Sequence, residues 1–488
     1  MEVIHSYTLQ EKLQILADGA KYDVACTSSG VDRNGKKGEL GNSRACGICH
    51  SFSSDGRCIS LLKVLMTNHC IYDCKYCVNR VKNDIPRAAF TPQELCELTM
   101  EFYRRNYIEG LFLSSGIYKN PTYTMMLMVT TLKMLREEYH FRGYIHVKAV
   151  PGAPDDVLNL AGHYADRMSI NLELPTEESM KKIAPNKSFS TILRPMDQMT
   201  RNIQDHRAWL GQNPLFERSY GNRYLPNNIF SKGAKKIGLQ EILGISDQSK
   251  GQKKEELLSY QAKASSVHSS DFPKAGLSSQ MIIGASDETD YHLIRTSQFL
   301  YQNYDLRRVF YSAYIPINDD PALPSKEMAP PLKREHRLYQ ADFLMRYYGF
   351  QAGELLTESN PFFHEVFDPK CDWAIRNMEQ FPVEVQTAPY DLLLRVPGIG
   401  PKSAKRIVQS RKYGKLDFTH LKKMGVVLKR AHFFLLCNGK QMYHIPVEEN
   451  FVRANMLSMD TKRIVEKGPS YRQLSLFDDF GIQREGVV

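Results

Sequence analysis

Three cysteines, Cys70, Cys74 and Cys77, stand at C-x3-C-x2-C spacing in "NHCIYDCKYCVNR", residues 68–80. Thiolates this close along a chain act together as metal ligands, but a closed structural site takes four. Two chemistries fit three. One is a [4Fe–4S] cluster held at three irons, with the fourth iron open to a substrate or cofactor; electron-transfer clusters use four cysteines instead. The other is a zinc site completed by His69 or a distant residue. An open coordination position marks a catalytic rather than a structural metal.

A second group, Cys26, Cys46, Cys49 and Cys58, precedes this loop, with "CGIC" at its centre. Four thiols suffice for a closed zinc or auxiliary iron–sulfur centre, and His50 can replace one. The bland reading is free thiols in a small N-terminal lobe. Seven of the ten cysteines fall between Cys26 and Cys77, a clustering that points to metal rather than disulfides where thiols stay reduced. That compartment is the expected one. "MEVIHSYTLQEKLQIL" lacks the basic and apolar regions of a signal peptide, and no run of about 18 apolar residues exists to span a membrane. A cytoplasmic protein follows.

A third constellation lies near the C-terminus. "LLLRVPGIGPKSAKRIV" (392–408) reads as helix, short turn, helix. Gly398 and Gly400 are expected at backbone angles closed to other residues, Pro401 opens the second helix, and Ala404 lets the helices pack closely. Exposed N–H groups at such a turn bind phosphate. Gly425 and Ala431 repeat the spacing of Gly398 and Ala404, with Val427 in place of the second glycine, so a paired module is expected. Residues 391–430 hold eleven Lys and Arg (Arg395, Lys402, Lys405, Arg406, Arg411, Lys412, Lys415, Lys422, Lys423, Lys429 and Arg430) against Asp391 and Asp417. Their net +9 nearly equals the +10 of the whole chain and predicts salt-dependent binding of a nucleic-acid backbone.

Elements that position these residues can be read from periodicity. Six short apolar runs, at 61–67, 109–115, 143–150, 167–174, 280–285 and 307–315, alternate with helical patterns. In "TPQELCELTMEFYRRN", Thr91, Pro92 and Glu94 form a helix start with a capping box. The alternation predicts a parallel sheet with site loops at the carboxyl ends of its strands, a partial barrel of six β/α units rather than eight. The cysteine loop directly follows the first strand. Residues 200–275, whose Ser- and Lys-rich core spans 231–270, interrupt the rhythm and read as a flexible insertion; the alternative is an ordered lid with short helices such as "LQEILGI". The expected organisation is an N-terminal lobe (1–59), the barrel (60–330), a helical connector (331–380), an all-α hairpin module (381–440) and a polar tail (441–488).

The cysteine loop, with Tyr76 just before the last cysteine, resembles the signature of the radical S-adenosylmethionine (SAM) superfamily. The resemblance implies that SAM chelates the open iron and is cleaved reductively to methionine and a 5′-deoxyadenosyl radical. It also implies cofactor contacts. Ser114, Ser115 and Gly116 stand where the superfamily commonly has Gly-Gly-Glu at the SAM amino group. Asn171 and Glu173 stand near the ribose, and Ile282 and Gly284 near the adenine. The glycine hairpin resembles the helix-hairpin-helix module of DNA repair enzymes, which points to Gly398, Gly400, Lys402, Lys405 and Arg406 as DNA contacts. In the tail, Gln473, Leu474, Ser475, Leu476 and Phe477 resemble the peptide that binds the bacterial sliding clamp, an apolar anchor inserted into a preformed pocket.

From "YDVACTSSG" through "VKAVPGAP", "NLELPTEESMKKIAPNK" and "GASDETD" to the hairpin, the chain resembles a DNA modification/repair radical SAM family. That resemblance implies a radical SAM enzyme acting on a nucleotide of DNA, served by an electron donor. Lys148 and Tyr314 are candidates to face the site, with an ordinary strand-end role as the simpler reading. Two rival functions are a radical SAM enzyme that modifies RNA or tRNA, and a non-catalytic iron–sulfur accessory that binds DNA.

Overall fold

In the computed structural model, which describes residues 7–20, 48–52, 58–213, 215, 225, 228–231, 234–243 and 276–466, the six apolar runs are strands of one sheet. They are β2 (Cys58–Leu65), β3 (Gly110–Ser114), β4 (Tyr144–Lys148), β5 (Arg167–Ser169), β6 (Leu277–Ile283) and β7 (Arg308–Ala313). Neighbours from β2 to β7 are parallel and follow sequence order, so the sheet is the curled, partial barrel expected. A seventh strand, β1 (Ile48–Phe52), was not anticipated. It pairs antiparallel with β2, placing Cys49 opposite Leu61 and Cys58 opposite Phe52. Cys26 and Cys46 lie outside the described residues.

Helices α1 (Leu9–Ala20), α2 (Pro92–Arg104), α3 (Pro121–Lys133), α4 (Asp155–Tyr164), α5 (Glu177–Ile183) and α6 (Phe189–Trp209) accompany the strands. The start of α2 is the one read from sequence: Thr91 caps Glu94 N, Glu94 caps back, and Pro92 sits in the first turn. The interruption begins later than expected. Residues 200–209 continue α6, because Met196, Met199 and Ile203 sustain its buried stripe. Leu239–Ile242 forms the short helix suggested by "LQEILGI", and residues 244–275 lie outside the described residues.

The two faces of the sheet differ chemically. One register row, Val64, Leu113, Val147, Met168 and Leu277, is apolar and buried. Rows on the opposite face carry Lys63, Phe112, His146 and Arg167, then Lys148, Ser169, Ser278 and Arg308. A parallel sheet with both faces covered normally reads as continuous apolar sequence. Here alternate residues are polar, which marks a face built to line something other than a hydrocarbon core.

Contacts divide the chain into two units. The first comprises Met1–Phe216, Leu243–Glu288 and Asn303–Pro330, and contains the sheet. The second comprises Glu217–Ile242, Thr289–Gln302 and Pro331–Val488. Within it, the helices Tyr390–Arg395, Pro401–Ser410, Phe418–Lys423 and Leu428–Ala431 form two successive hairpins. The region is not purely helical, since Val383–Glu384 pairs in parallel with Leu435–Leu436 and ties its ends together. A helix, Glu449–Glu466, follows in the stretch read as tail, while Gln473–Phe477 lies outside the described residues. No described helix is long and apolar enough to cross a membrane.

Candidate functional site

The cysteine loop leaves the carboxyl end of β2 and is braced by side chains whose hydrogen bonds go to its backbone. Arg87 donates to four carbonyls, those of Asn68 (2.5 Å), Asn79 (2.9 Å), Arg80 (2.7 Å) and Asn83 (2.8 Å). Asn318, beyond β7, donates to the carbonyls of Lys75 (2.6 Å) and Cys77 (2.9 Å) and accepts from Asn83 (2.8 Å). Asp320 pairs with Lys75 and Arg80. From the segment after α5, Asn186 Oδ1 accepts from Asp73 N (2.9 Å), and the carbonyl of Ile183, the last residue of α5, accepts from Lys75 N (2.8 Å). None of these bracing residues was singled out from sequence. Asn318 and Asp320 follow a strand, where the strand-end rule could have found them; Arg87 carries no such signal.

Cys74 is buried, and Cys70 and Cys77 are partly open. Burial pushes the Cys77 thiol up to about 12, with further upward pushes from Cys74 and Cys70. Burial also raises Cys74, opposed by the neighbouring Lys187 ammonium. Each thiol therefore lies within electrostatic reach of the other two. The Ile117 N–H donates to Cys70 Sγ at 3.4 Å, linking the loop to the end of β3.

Beside the thiols sits a buried polar cluster. Glu173 follows β5 with a left-handed φ of +67°, a conformation that costs a non-glycine residue about 1–3 kcal/mol. Its backbone is locked to β6 through Glu173 N to the Gln280 carbonyl and Ile282 N to the Glu173 carbonyl. Its carboxylate receives Lys148 (3.4 Å) and Asn171 (3.3 Å), and Lys187 stands 4.0 Å away. Lys187 also donates to the Tyr76 hydroxyl at 3.1 Å. Burial works against the Lys187 charge, but Cys74 and Glu173 outweigh it, so the lysine is held above its ordinary range. Lys148, the last residue of β4, thus pairs with a buried carboxylate.

The other candidates have visible local roles. An ideal Cβ on Gly116 would meet the His69 carbonyl at 2.5 Å, so only glycine lets β3's end approach the cysteine loop. Ser115 bonds the Gly116 carbonyl. The buried Ser114 hydroxyl has no partner among the described residues. Gly284 has φ +76°, and its N–H is taken by Glu288 at 2.6 Å. Ile282 is buried. Tyr314, just past β7, is buried, with its hydroxyl beside the Ile317 backbone. His69 packs its ring 5.5 Å from Tyr118.

Three thiols on one loop, beside the Lys187 and Arg87 cations, are the donor set that a four-iron cube uses when its thiolates are spread over separate irons.

In the second unit, Gly398 has φ +86° and its ideal Cβ would lie 2.6 Å from the Val427 carbonyl. Gly425, its counterpart, has φ +87° and faces Ser403 and Arg406. The hairpins interlock through Val427 N to the Gly398 carbonyl (2.9 Å) and Arg406 to the Met424 carbonyl (3.1 Å). Gly400 departs from expectation. Its φ of −102° suits any residue, and it serves as the uncapped start of helix Pro401–Ser410. Three of the eleven cations are also committed to the fold. Arg395 pairs with Glu354 and stacks 3.7 Å over Phe350, Arg411 donates to the Val385 and Ala388 carbonyls, and Arg430 pairs with Asp368. The eight exposed ones are Lys402, Lys405, Arg406, Lys412, Lys415, Lys422, Lys423 and Lys429, of which Arg406 also holds the Met424 carbonyl.

No protein-family profile matches the chain, and no curated protein does. Among solved structures it is similar to HydG, a maturase of the [FeFe]-hydrogenase, at 12% identity and a TM-score of 0.33, covering 58% of this chain and 48% of that one. HydG from Carboxydothermus hydrogenoformans gives 10% and 0.34, over 58% and 50% of the two chains. Methylornithine synthase (PylB) gives 12% and 0.34, over 58% and 61%. The chain thus spans between 48% and 61% of the length of these structures.

Proposed function

We propose that the chain is a radical SAM enzyme that acts on a nucleotide of DNA. The observation that carries the enzymatic half is the three-thiol loop at a strand's carboxyl end, braced by side chains from other segments. Cys70, Cys74 and Cys77 would hold a [4Fe–4S] cluster at three irons. Tyr76, Ser114, Ser115, Gly116, Asn171, Glu173, Ile282 and Gly284 border the place for SAM. When both are bound, they supply the one-electron chemistry of hydrogen abstraction, and the protein supplies binding, orientation and shielding.

The chain's own contribution can be read from its side chains. Lys148 and Lys187 hold the Glu173 carboxylate in place. The orphan Ser114 hydroxyl offers a hydrogen bond to a polar ligand. The uncapped first turn of helix Pro401–Ser410 and the exposed cations support DNA backbone binding. A target base must leave the duplex stack to reach a buried site. The same reading includes the sliding clamp as a partner of Gln473–Phe477, an unidentified electron donor, and a second zinc or iron–sulfur centre on Cys26, Cys46, Cys49 and Cys58.

The test is anaerobic incubation with SAM and a reductant, with DNA or RNA oligonucleotides present, followed by mass spectrometry of nucleosides. The expected result is 5′-deoxyadenosine whose yield DNA increases. No deoxyadenosine would leave a non-catalytic accessory, and stimulation by RNA alone would move the substrate to RNA. Replacing Lys402, Lys405 and Arg406 by Gln should weaken DNA binding and lower its salt slope by about 0.9 per charge.

A further inference from the structure

We infer that Tyr413 is a stacking platform for an unpaired DNA base, placed between the hairpins by a loop stiffened for that purpose. The inference rests on the reading that the hairpin unit grips DNA. Tyr413 is 91% exposed, more than any other large apolar side chain among the described residues, and its ring and hydroxyl have no partner there. An exposed aromatic on a floppy loop would mean little. This loop is not floppy.

Arg411 reaches back to the carbonyls of Val385 (3.0 Å) and Ala388 (2.6 Å). Gln386 donates to the carbonyls of Arg411 (3.4 Å) and Gly414 (3.1 Å) and accepts from Leu416 N (3.2 Å). Tyr413 N donates to the Ser410 carbonyl at 3.0 Å, and Asn438 donates to that of Leu416 at 2.8 Å. The residues on either side are thus pinned while the ring is left out. Lys412 and Lys415, both exposed, flank it.

An exposed aromatic on a pinned loop, with an exposed lysine on either side of it in sequence, suits one class of ligand. Protein surfaces rarely offer a flat apolar face ringed by anions, whereas an unstacked nucleotide presents a π-face beside phosphates. Stacking of a base on an aromatic is tolerant of sequence and loses affinity on alanine substitution. Because the loop is already ordered, little conformational freedom is lost on binding. Paired bases keep their own stack, so the platform selects for duplex that carries an unpaired or extruded base, the substrate form a base-modifying site requires.

The experiment uses the full chain and oligonucleotides carrying 2-aminopurine, either unpaired opposite an abasic site or fully paired. Tyr413→Ala should weaken binding to the unpaired-site duplex about tenfold. It should abolish the accompanying fluorescence change, with fully paired affinity, salt slope and thermal midpoint unchanged. Tyr413→Trp should retain both affinity and signal. Lys412→Gln with Lys415→Gln should lower the salt slope instead. If Tyr413→Ala matches the unmodified chain in affinity and fluorescence while the Lys402/Lys405/Arg406 variant still loses affinity, the platform is overturned and DNA binding by the hairpins stands. If the unmodified chain binds no DNA at low salt, both fall.

Discussion

The cysteine loop and the glycine hairpin, the two turns on which the proposed function rests, are held in opposite ways. The loop is shaped by side chains distant in sequence. Asn318 reaches it across 243 positions to Lys75, and Asn186 across 113 to Asp73. The hairpin is shaped by its own backbone, with a left-handed glycine and a hydrogen bond to the adjoining hairpin. The loop can exist only once the sheet has closed around it, since distant contacts form after chain-closure entropy is met. The hairpin turn is made largely from nearby backbone, with Lys370 and Arg395 tying it to other segments of its own unit. A cluster-binding site demands three thiols at set positions against a desolvated wall, whereas phosphate binding needs only exposed N–H groups and charge.

Three variants sharpen or break that contrast, the largest effect first. Arg87→Ala leaves four carbonyls without their donor. It should destabilise the first unit by about 2–4 kcal/mol in denaturant melts and deplete bound iron, with DNA affinity unchanged. Arg87→Lys should not rescue it, because one ammonium cannot span the fork. Parallel loss of DNA binding would mean that the two regions are not independently held.

Gly398→Ala forces a Cβ to within 2.6 Å of a carbonyl at φ +86°. A loss of about 1–3 kcal/mol is expected, together with weaker DNA binding and unchanged iron content. Wild-type affinity for DNA in this variant would remove the hairpin turn from the binding surface.

The smallest effect per step is a pH dependence. Lys370 is buried, donates to the Ile399 carbonyl at the hairpin turn (2.5 Å) and lies 4.7 Å from the Tyr348 ring centre. Burial pulls its pKa down to about 7; Asp368 opposes this and Arg395 adds to it. The unfolded chain titrates this lysine near its ordinary value of about 10.4, so between the two values the unfolded state binds more protons. Stability of the second unit should therefore rise with pH from about 7 to 10, by at most about 1.4 kcal/mol per pH unit. Lys370→Met should flatten that slope in melts across the range, and an unchanged slope would place the amine in water.

What could be read in advance followed the range of the interaction that causes it. The capping box at Thr91 and Glu94, the positive φ of Gly398 and the alternation behind β2 to β7 all arise within a few residues. Misreadings came where a residue's local rule was outweighed by a neighbour in space. Gly400 looked like a conformational glycine and adopts an ordinary φ. Arg395, Arg411 and Arg430 looked like DNA-facing charges and are consumed by Glu354, backbone carbonyls and Asp368. Strand β1 escaped notice because its five residues carry no turn signal of their own.

The sequence by itself determined the kind of chemistry available: three thiols at a fixed spacing after a strand, and a basic double hairpin. Tertiary structure alone decided which groups surround those thiols. Arg87, the pair Asn186 and Lys187, and the pair Asn318 and Asp320 come from three separate segments, and only the closing of a parallel sheet brings its carboxyl-end loops to one place. Covalent spacing sets what a loop can ligate; burial and hydrogen bonds, which exist only after folding, set the charge and posture in which it does so.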